Sequence, residues 1–445
     1  MYRTSIKLIA LWVGLLLPVG AFAVPEDWKA LTLYEKAPVK KQLTNRLTDY
    51  VKFDTAAKFS SSVPSTPGQL KFAKALAKEL KKNGAARVRV DKSAVVTAEI
   101  PANSDKPIPV IALLARLDTV PGISGQEVRP QVHNGYKGGD IVVSADKKLS
   151  LTTQNSPQLL RAHGHDIITA SGDTLLGADA KAGAAVLLTA VQYFYDHPQL
   201  PHGTIKLVFV PDGTTGIGVN QLDITSLGAD YAYTLDAADM GQLVDETFSA
   251  KHFTAVFEGS RTEDIGYAMN TSFADNILMA SDFHTLLPRH KRPETTADKR
   301  GFIWVNGITT QGNRSEVTGL IRAFSDEEMH TLTQEVSQAF QTVKAMNYKG
   351  KNFSLTFADE GKNMQAALPE VSLRAAQAAM EAEEISPNRT ALRTLTMGAR
   401  LAERGLPAPG LFTGYYHAGT VLEYADVDVM EAAFRTVMRL TTSGM

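Results

Sequence analysis

Dense apolar runs alternate with helix-like segments in the first half of the chain. Residues 108–114 and 204–210 are almost continuously apolar, and residues 231–235 form a shorter run of the same kind. Between the first two runs, residues 181–195 are rich in small side chains and have helical spacing. Continuous apolar runs predict strands that are buried on both faces of a sheet. The order strand, helix, strand predicts an α/β fold with a mostly parallel central sheet flanked by helices.

Further elements are predicted on both sides of this region. Residues 38–53 and 69–83 place apolar side chains at helical spacing. Residues 87–91 and 95–100 have the pattern of a half-buried hairpin. Near the C-terminus, residues 409–413 predict one more strand of the main sheet.

The pattern changes near Thr247. Residues 253–257 and 301–305 predict strands of a different sheet, and residues 326–346 have the pattern of a long helix. These segments predict a separate α+β insert that ends near Asp359. The predicted organisation therefore begins with a signal peptide at residues 1–23. The main domain follows in two parts, residues 24–246 and 360–445, and the insert lies between them at residues 247–359.

The N-terminus has the pattern of a signal peptide. Arg3 and Lys7 precede an apolar stretch at residues 8–20, and small residues follow at Ala21 and Ala23. This pattern predicts cleavage after Ala23 and an exported chain, periplasmic if the source is a Gram-negative bacterium. The stretch is shorter than the about 20 residues that span a bilayer, so no membrane span is expected after cleavage. An uncleaved N-terminal anchor is the alternative.

Charge and cysteine content narrow the classes of partner. The formal net charge is −1, whereas phosphate backbones are bound by clustered basic surfaces. Nucleic acid is therefore not expected as a partner. The chain contains no cysteine, so an exported form would hold its fold without disulfides.

Acidic residues mark the ends of the predicted main-sheet strands. Asp118, Asp212 and Asp236 each follow one of the three dense apolar runs. Open α/β sheets build their ligand sites outside the carboxyl ends of their strands. We therefore expect the functional site at this edge of the sheet.

Several motifs around these strand ends carry a family resemblance. They are Val63-Pro64-Ser65-Thr66, Tyr136-Lys137-Gly138-Gly139-Asp140-Ile141, Thr174 to Gly183 and Pro201-His202-Gly203. With these motifs the chain resembles peptidase T, a family of di-zinc aminotripeptidases, from about Leu47 to about Leu440. The resemblance implies a zinc exopeptidase-like fold in which the insert is a lid domain that can also mediate a homodimer.

The resemblance also implies a set of site residues, of which four are retained. Asp179 stands at the position of the carboxylate that bridges the two zinc ions, and Asp236 at that of the second metal's carboxylate. Asp118 corresponds to the residue that orients the first histidine ligand. Glu423 corresponds to a glutamate four residues after the last histidine ligand. Two of the five ligand positions thus keep a ligating side chain.

The other three ligand positions and the catalytic base are replaced. The two histidine positions read Arg116 and Gly419, and a glutamate ligand position reads Thr214. The general-base position reads Gly213, which has no side chain to take a proton from water. Zinc prefers imidazole and carboxylate donors together. These replacements predict loss of zinc hydrolase chemistry, with no cofactor.

Arg116 suggests what replaces the metal charge. Two carboxylates buried without their dications would be costly. An arginine at the lost histidine position could bind Asp179, Asp236 or Asp118 through charge-assisted hydrogen bonds. We therefore expect Arg116 to occupy part of the metal space. The alternatives are a surface position for Arg116 and a calcium site made by Asp179, Asp212 and Asp236.

A second retained arginine lies in the segment that the family uses to bind substrate. Arg393 begins this segment and could hold the carboxylate of a ligand. Leu395 and Met397 replace a glycine and an aspartate, which favours a filled pocket. The lid segment at residues 259–266 lacks the histidine and proline that the family has there.

The function predicted from the sequence is that of an exported peptidase T-like pseudoenzyme, which binds a peptide, a small molecule or another protein. The alternative is an active zinc aminotripeptidase with substitute ligands, either His417 or the pair His163 and His165. Stoichiometric zinc would favour that alternative. A metal-independent hydrolase is a third class, but the sequence offers no recognisable pairing of nucleophile and base.

Overall fold

The computed structural model describes residues 36–105, 108–260, 274–346 and 352–442. The described strands are β1 (Ala86–Val90), β2 (Val96–Ile100), β3 (Ile111–Arg116), β4 (Gln131–His133), β5 (Ile141–Ser144), β6 (Leu149–Leu151), β7 (Ile167–Thr169), β8 (Ile205–Val210), β9 (Tyr231–Ala237), β10 (Gln242–Thr247), β11 (Ser249–Glu258), β12 (Phe302–Gln311), β13 (Arg314–Ala323), β14 (Asn352–Gly361), β15 (Asn388–Leu392), β16 (Gly410–Phe412), β17 (Tyr415–Tyr416) and β18 (Tyr424–Asp426). The described α-helices are α1 (Lys36–Tyr50), α2 (Pro67–Lys82), α3 (Ala178–Asp196), α4 (Ile224–Leu227), α5 (Asn276–Leu286), α6 (Asp326–Ala345), α7 (Glu370–Ala382), α8 (Met397–Glu403) and α9 (Val427–Thr442).

An eight-stranded mixed sheet forms the main domain. Its order is β1-β2-β8-β3-β9-β16-β10-β15, with β8, β3, β9 and β16 parallel to one another. All of β3 is buried, as its dense apolar sequence predicts. The strand begins at Ile111 rather than at residue 108, because Pro109 has no N–H to donate to a neighbouring strand. The predicted α/β fold with a largely parallel centre is confirmed.

Helices cover both faces of this sheet. On one face, α3 packs between α1 and α9, and their apolar side chains form the largest core. Small residues let α3 approach the strands closely. A Cβ on Gly183, for example, would lie 2.4 Å from the carbonyl oxygen of Leu235. On the other face, Leu227 of α4 and Met397 of α8 pack against Val208 and Val210.

The insert has its own sheet and core. Strands β12, β13, β11 and β14 form an antiparallel sheet, and α5 and α6 pack on one of its faces. Its core includes the rings of Phe257, Phe283 and Phe340. Helix α6 begins at the N-cap Ser325, whose side chain accepts a hydrogen bond from the backbone of Glu328. The chain passes from the main sheet to the insert between β10 and β11.

Two predictions fall on residues outside the described ranges. These are the signal peptide at residues 1–23 and most of the lid segment at 259–266, of which residues 261–266 are not described. Among the helices that the structure describes, none combines the length and the apolar character that crossing a membrane requires.

Candidate functional site

Arg116 is the last residue of β3 and lies between two carboxylates. Its Nε donates to Oδ1 of Asp236 at 2.9 Å, and its Nη2 donates to Oδ1 of Asp179. Its Nη1 donates to Oγ1 of Thr214 at 2.6 Å. Only 7% of Arg116 is exposed, so the alternative of a surface arginine is wrong. The structure therefore brings together the guanidinium of Arg116, the carboxylates of Asp179 and Asp236, and the hydroxyl of Thr214.

The charges of this cluster depend on one another. Burial alone would lower the pKa of Arg116, but the neighbouring charges of Asp179 and Asp236 raise it well above its usual value. Burial raises the pKa of Asp179 to about 6, although the charge of Arg116 acts in the opposite direction. Arg116 thus stays protonated, and its charge opposes the rise that burial causes in the pKa of Asp179.

Gly213 gives the side chain of Arg116 its space. A Cβ on Gly213 would lie 2.5 Å from Cδ and 2.6 Å from Cγ of Arg116, closer than atoms can approach. The stem of Arg116 therefore fills the space beside position 213, the position at which the sequence predicts the family's general base. Loss of the base and the presence of Arg116 are sterically linked.

Asp118 fixes the loop that carries positions 213 and 214. It is fully buried, and its carboxylate accepts hydrogen bonds from the backbone N–H groups of Gly213 at 2.8 Å and Thr214 at 2.9 Å. Burial raises the pKa of Asp118, and the charge of Arg116 opposes that shift. With arginine in place of the first histidine, Asp118 orients a loop.

Asp212 does not join the cluster. Its carboxylate accepts hydrogen bonds from the backbone N–H and the hydroxyl of Ser65 and, at 2.7 Å, from Nε2 of Gln69. Its own N–H donates to Oε1 of Gln69 at 2.8 Å. The calcium alternative with Asp179 and Asp236 is therefore wrong, because Asp212 is bound to other partners and Arg116 lies between the other two.

Glu423 supports the N-terminus of α3 from behind the cluster. Its carboxylate accepts from the N–H of Asp179 at 2.8 Å and of Gly177 at 2.9 Å. Burial raises the pKa of Glu423 to about 8. Nearby Lys181, whose pKa burial lowers to about 8, donates to the carbonyl of Phe53 at 2.7 Å.

Gly419 offers no ligand at the last histidine position. Its φ is +71°, which favours glycine, and a Cβ there would lie 3.2 Å from Cγ2 of Val120. His417, the proposed substitute, also has a positive φ, and its carbonyl accepts from the N–H of Thr420 at 3.2 Å. The His417 ring lies 6.1 Å from the ring of Tyr424.

Among the described residues, neither of the other proposed histidine ligands belongs to a metal-ligand group with Asp179 and Asp236. His163 is exposed. His165 contacts Asp426, with 2.7 Å between Nδ1 and Oδ2. His165, Asp426 and Asp428 could offer three ligand atoms to a metal within 4.8 Å of one another.

Arg393 contacts the insert. Its guanidinium lies 5.5 Å from the ring centroids of both Phe248 and Phe302, a cation–π geometry, and donates to Oγ1 of Thr296 at 2.7 Å. Its role in holding a ligand carboxylate stays a prediction. Met397 is 1% exposed and belongs to the core beneath the main sheet, so it fills the core rather than a pocket.

Sequence reasoning missed one side chain of the site. Tyr415 donates from its hydroxyl to the backbone carbonyl of Asp236 at 2.9 Å. Burial, with the nearby charge of Asp179, raises its pKa well above the usual value. Tyr415 could have been found from the sequence, because it directly follows Phe412-Thr413-Gly414, the motif that ends at the same edge of the sheet.

These residues do not fit a two-metal centre. Structural and catalytic zinc sites use three or four imidazole, thiolate or carboxylate donors. Here the retained donors are Asp179 and Asp236, and both already bind the guanidinium of Arg116. A dication beside that guanidinium would meet a like charge. Among the five ligand positions, Gly419 has no side chain and Thr214 has no carboxylate.

Comparison by sequence finds relatives called Peptidase T. One, from Clostridium botulinum (strain Loch Maree / Type A3), is 35% identical over 403 residues, which is 90% of this chain and 98% of the relative. Another, from Bacillus cereus (strain Q1), is 35% identical over 405 residues with the same coverage. No protein-family model matches the chain.

Comparison by structure finds the same fold in three solved proteins. Aminopeptidase PepT from Bacillus cereus ATCC 10987 has a TM-score of 0.67 and 19% identity, covering 91% of this chain and 98% of its own. A tripeptidase from Staphylococcus aureus subsp. aureus Mu50 has a TM-score of 0.69, the same identity and the same coverage. Bacillus subtilis YXEP, described as a dinuclear metal-binding peptidase of the M20 family, has a TM-score of 0.59 and 14% identity, covering 91% and 97%.

These comparisons correct the prediction of export. Nothing in the comparison with the Peptidase T relatives shows export, and the prediction of an exported, periplasmic protein is wrong. That prediction depended on the composition of the first 23 residues alone, whereas the relatives match 90% of the chain.

The expectation that no cofactor is bound stays a prediction. One structural neighbour binds two metal ions, and the group of His165, Asp426 and Asp428 is a conceivable metal site. The expected family, in contrast, is confirmed by the sequence comparison. With 35% identity to Peptidase T over 90% of its length, this chain is a member of the peptidase T family.

Proposed function

We propose that this member of the peptidase T family binds a ligand without zinc-dependent hydrolysis. One observation carries the proposal: the guanidinium of Arg116 donates hydrogen bonds to both Asp179 and Asp236. A guanidinium binds carboxylates strongly but cannot activate water as a metal ion does. It gives the cluster its positive charge without Lewis-acid chemistry.

The surroundings of Arg116 support this proposal. A hydrolytic water needs a base within hydrogen-bond reach. A glutamate side chain at position 213 would overlap the stem of Arg116, since even a Cβ would lie 2.5 Å from its Cδ. The arginine and the family's base therefore exclude each other, and the pair Arg116 and Gly213 forms one consistent arrangement.

The proposed ligand is a peptide, a small molecule or a protein partner at the strand ends beside the insert. Arg393 is proposed to hold a carboxylate of that ligand when the insert moves, since its present partners include Thr296 of the insert. A homodimer through the insert is also proposed. Ligand binding and the oligomeric state would both be measured on the intact chain.

Zinc content and peptide cleavage test the proposal together. The chain would be expressed and purified with excess zinc, its metal measured by mass spectrometry, and its activity assayed on a tripeptide. We expect far less than one zinc per chain and no cleavage above buffer. Stoichiometric zinc with cleavage that a chelator abolishes would overturn the proposal.

A second candidate function is that of an active metallo-aminopeptidase. The relatives favour it at least as strongly, because they are named Peptidase T, aminopeptidase and tripeptidase. Among the described residues, His165 with Asp426 and Asp428 is the group that could supply substitute ligands. If His165→Asn removed both zinc and cleavage, this second function would hold, whereas the first predicts that neither is present to remove.

A further inference from the structure

A cavity of about 300 Å³ lies at the edge of the main sheet, over β1, β2 and β8 and beside α4. Arg87 and Arg89 of β1 and Lys206 of β8 line it, together with the carboxylate of Glu99. Three positive charges against one negative charge leave this lining with a formal charge of +2. None of these lining residues belongs to the cluster on which the proposed function depends.

The local backbone directs both arginines toward the cavity. Side chains alternate along a strand, so Arg87 and Arg89 share a face of β1, and both are exposed. The pairing with β2 shifts register between Ala86 and Arg89, and Arg87 has a φ of +52°. Irregularities of this kind redirect side chains, and a positive φ in a residue other than glycine is unfavourable unless the surroundings maintain it.

Glu99 neutralises only part of this charge. It is 7% exposed, and its Oε2 accepts from Lys206 at 2.6 Å and from Arg87 at 3.1 Å. One carboxylate is therefore shared by two cations. Among the described residues, Arg89 has no carboxylate partner. Its cross-strand neighbour is Thr97, whose hydroxyl can add a neutral donor.

We propose that this cavity binds a doubly charged oxyanion, the phosphoryl group of a small phosphate monoester. The +2 charge of the lining balances a dianion, and guanidinium groups hold phosphate oxygens through paired hydrogen bonds. The volume is at the lower end of the range of cavities that hold small molecules and exceeds the needs of one phosphate group. The cavity therefore has room for a ligand larger than inorganic phosphate.

The site is separate from the Arg116 cluster. Lys206 lies four residues before Val210, the residue at the carboxyl end of β8 that pairs with Arg116. Four residues of strand correspond to about 13 Å. Binding at this edge and hydrolysis at the strand ends can therefore succeed or fail independently.

Calorimetric titration of the intact chain at low ionic strength tests the proposal, because salt weakens contacts between exposed charges. The probes are glycerol 2-phosphate, inorganic phosphate and succinate, a dianion without phosphorus. We expect one site per chain for glycerol 2-phosphate, with inorganic phosphate competing and succinate not competing. Arg89→Gln should weaken binding by about tenfold or more, since it removes a charged donor. Arg300→Gln, an exposed arginine of the insert, is the matched control and should leave affinity unchanged.

The charges of β1 could alternatively serve only to protect a sheet edge from pairing with other chains. In that case Arg89→Gln would bind glycerol 2-phosphate as the unchanged chain does, or no binding would be measured in either. Either result would overturn the proposal, as would equal competition by succinate. Because Arg89 has no carboxylate partner among the described residues, we expect this variant to fold, and its circular dichroism spectrum would verify this.

Discussion

The side chain of Arg116 passes through the space that any side chain on Gly213 would need. An added Cβ at position 213 would lie 2.5 Å from Cδ of Arg116, and Asp118 holds the Gly213 backbone in place through a 2.8 Å hydrogen bond. The two replacements at the family's ligand and base positions are therefore one structural change. Adding a side chain at position 213 alone creates a steric conflict, which shortening the side chain at position 116 removes.

Gly213→Glu alone should destabilise the fold. Overpacking against the fixed stem of Arg116 is expected to lower the free energy of unfolding by about 1–3 kcal/mol. The double variant Arg116→His and Gly213→Glu should lose less stability than the sum of the two single losses, because the shorter ring vacates the space. Urea unfolding of the two single variants and the double variant forms a thermodynamic cycle. Simple additivity in that cycle would contradict the steric link.

Arg116→Met should cost much more than removal of an exposed arginine. Methionine has a comparable length without charge and leaves the buried carboxylate of Asp179 and the partly buried carboxylate of Asp236 without their cation, at a cost of about 3–5 kcal/mol in unfolding free energy. Arg161→Met is the matched control, because Arg161 is largely exposed and its contact with Asp239 is 3.4 Å long.

A second variant separates charge from packing at the same position. Adding Asp179→Asn and Asp236→Asn to Arg116→Met removes the stranded negative charges. The triple variant should therefore regain stability relative to Arg116→Met alone. If it were less stable still, the value of Arg116 would lie in its packing and not in its ion pairs.

Restoring the family's donors should restore zinc uptake. The variant Arg116→His, Gly213→Glu and Thr214→Glu adds an imidazole, a base and a carboxylate to Asp179 and Asp236, which together approach a zinc donor set. After dialysis against zinc, mass spectrometry should find more metal in this variant than in the unchanged chain. Near-zero zinc in both would contradict this prediction, whereas equal stoichiometric zinc in both would mean that metal binds elsewhere, with His165, Asp426 and Asp428 as the group to mutate next.

His165 should contribute stability that depends on pH. The hydrogen bond that the protonated imidazole donates to the carboxylate of Asp426 raises the pKa of His165 above the usual 6.5, despite partial burial. The folded state therefore holds this proton more tightly than the unfolded chain. The resulting stabilisation is fully present below pH 6.5 and is lost as pH rises through the folded pKa.

His165→Asn keeps a neutral hydrogen bond to Asp426 and removes the charge. The loss of unfolding free energy in this variant should be larger at pH 5.5 than at pH 8.5. His163→Asn, two residues away and exposed, should show no such difference. A loss that is the same at both pH values would mean that the protonated imidazole has no special role.

Local sequence determined most of the main domain. The dense apolar runs identify β3, β8 and β9 because strands buried on both faces need apolar side chains at every position. The small residues of α3 and the change of pattern near Thr247 similarly anticipate the close helix packing and the separate sheet of the insert. The replaced site positions were predicted from the motifs around them, and that assignment stays a prediction.

The tertiary structure alone decided which charges meet. The sequence did not determine whether the guanidinium of Arg116 faces solvent or Asp179, which is 63 residues away in the chain. Asp212 resembles Asp236 in sequence context, yet it is bound to Ser65 and Gln69. His165 meets Asp426 across 261 residues. Apolar periodicity is a local property of the chain, whereas ion pairs between strand ends depend on strand order, and strand order is set only when the whole sheet has formed.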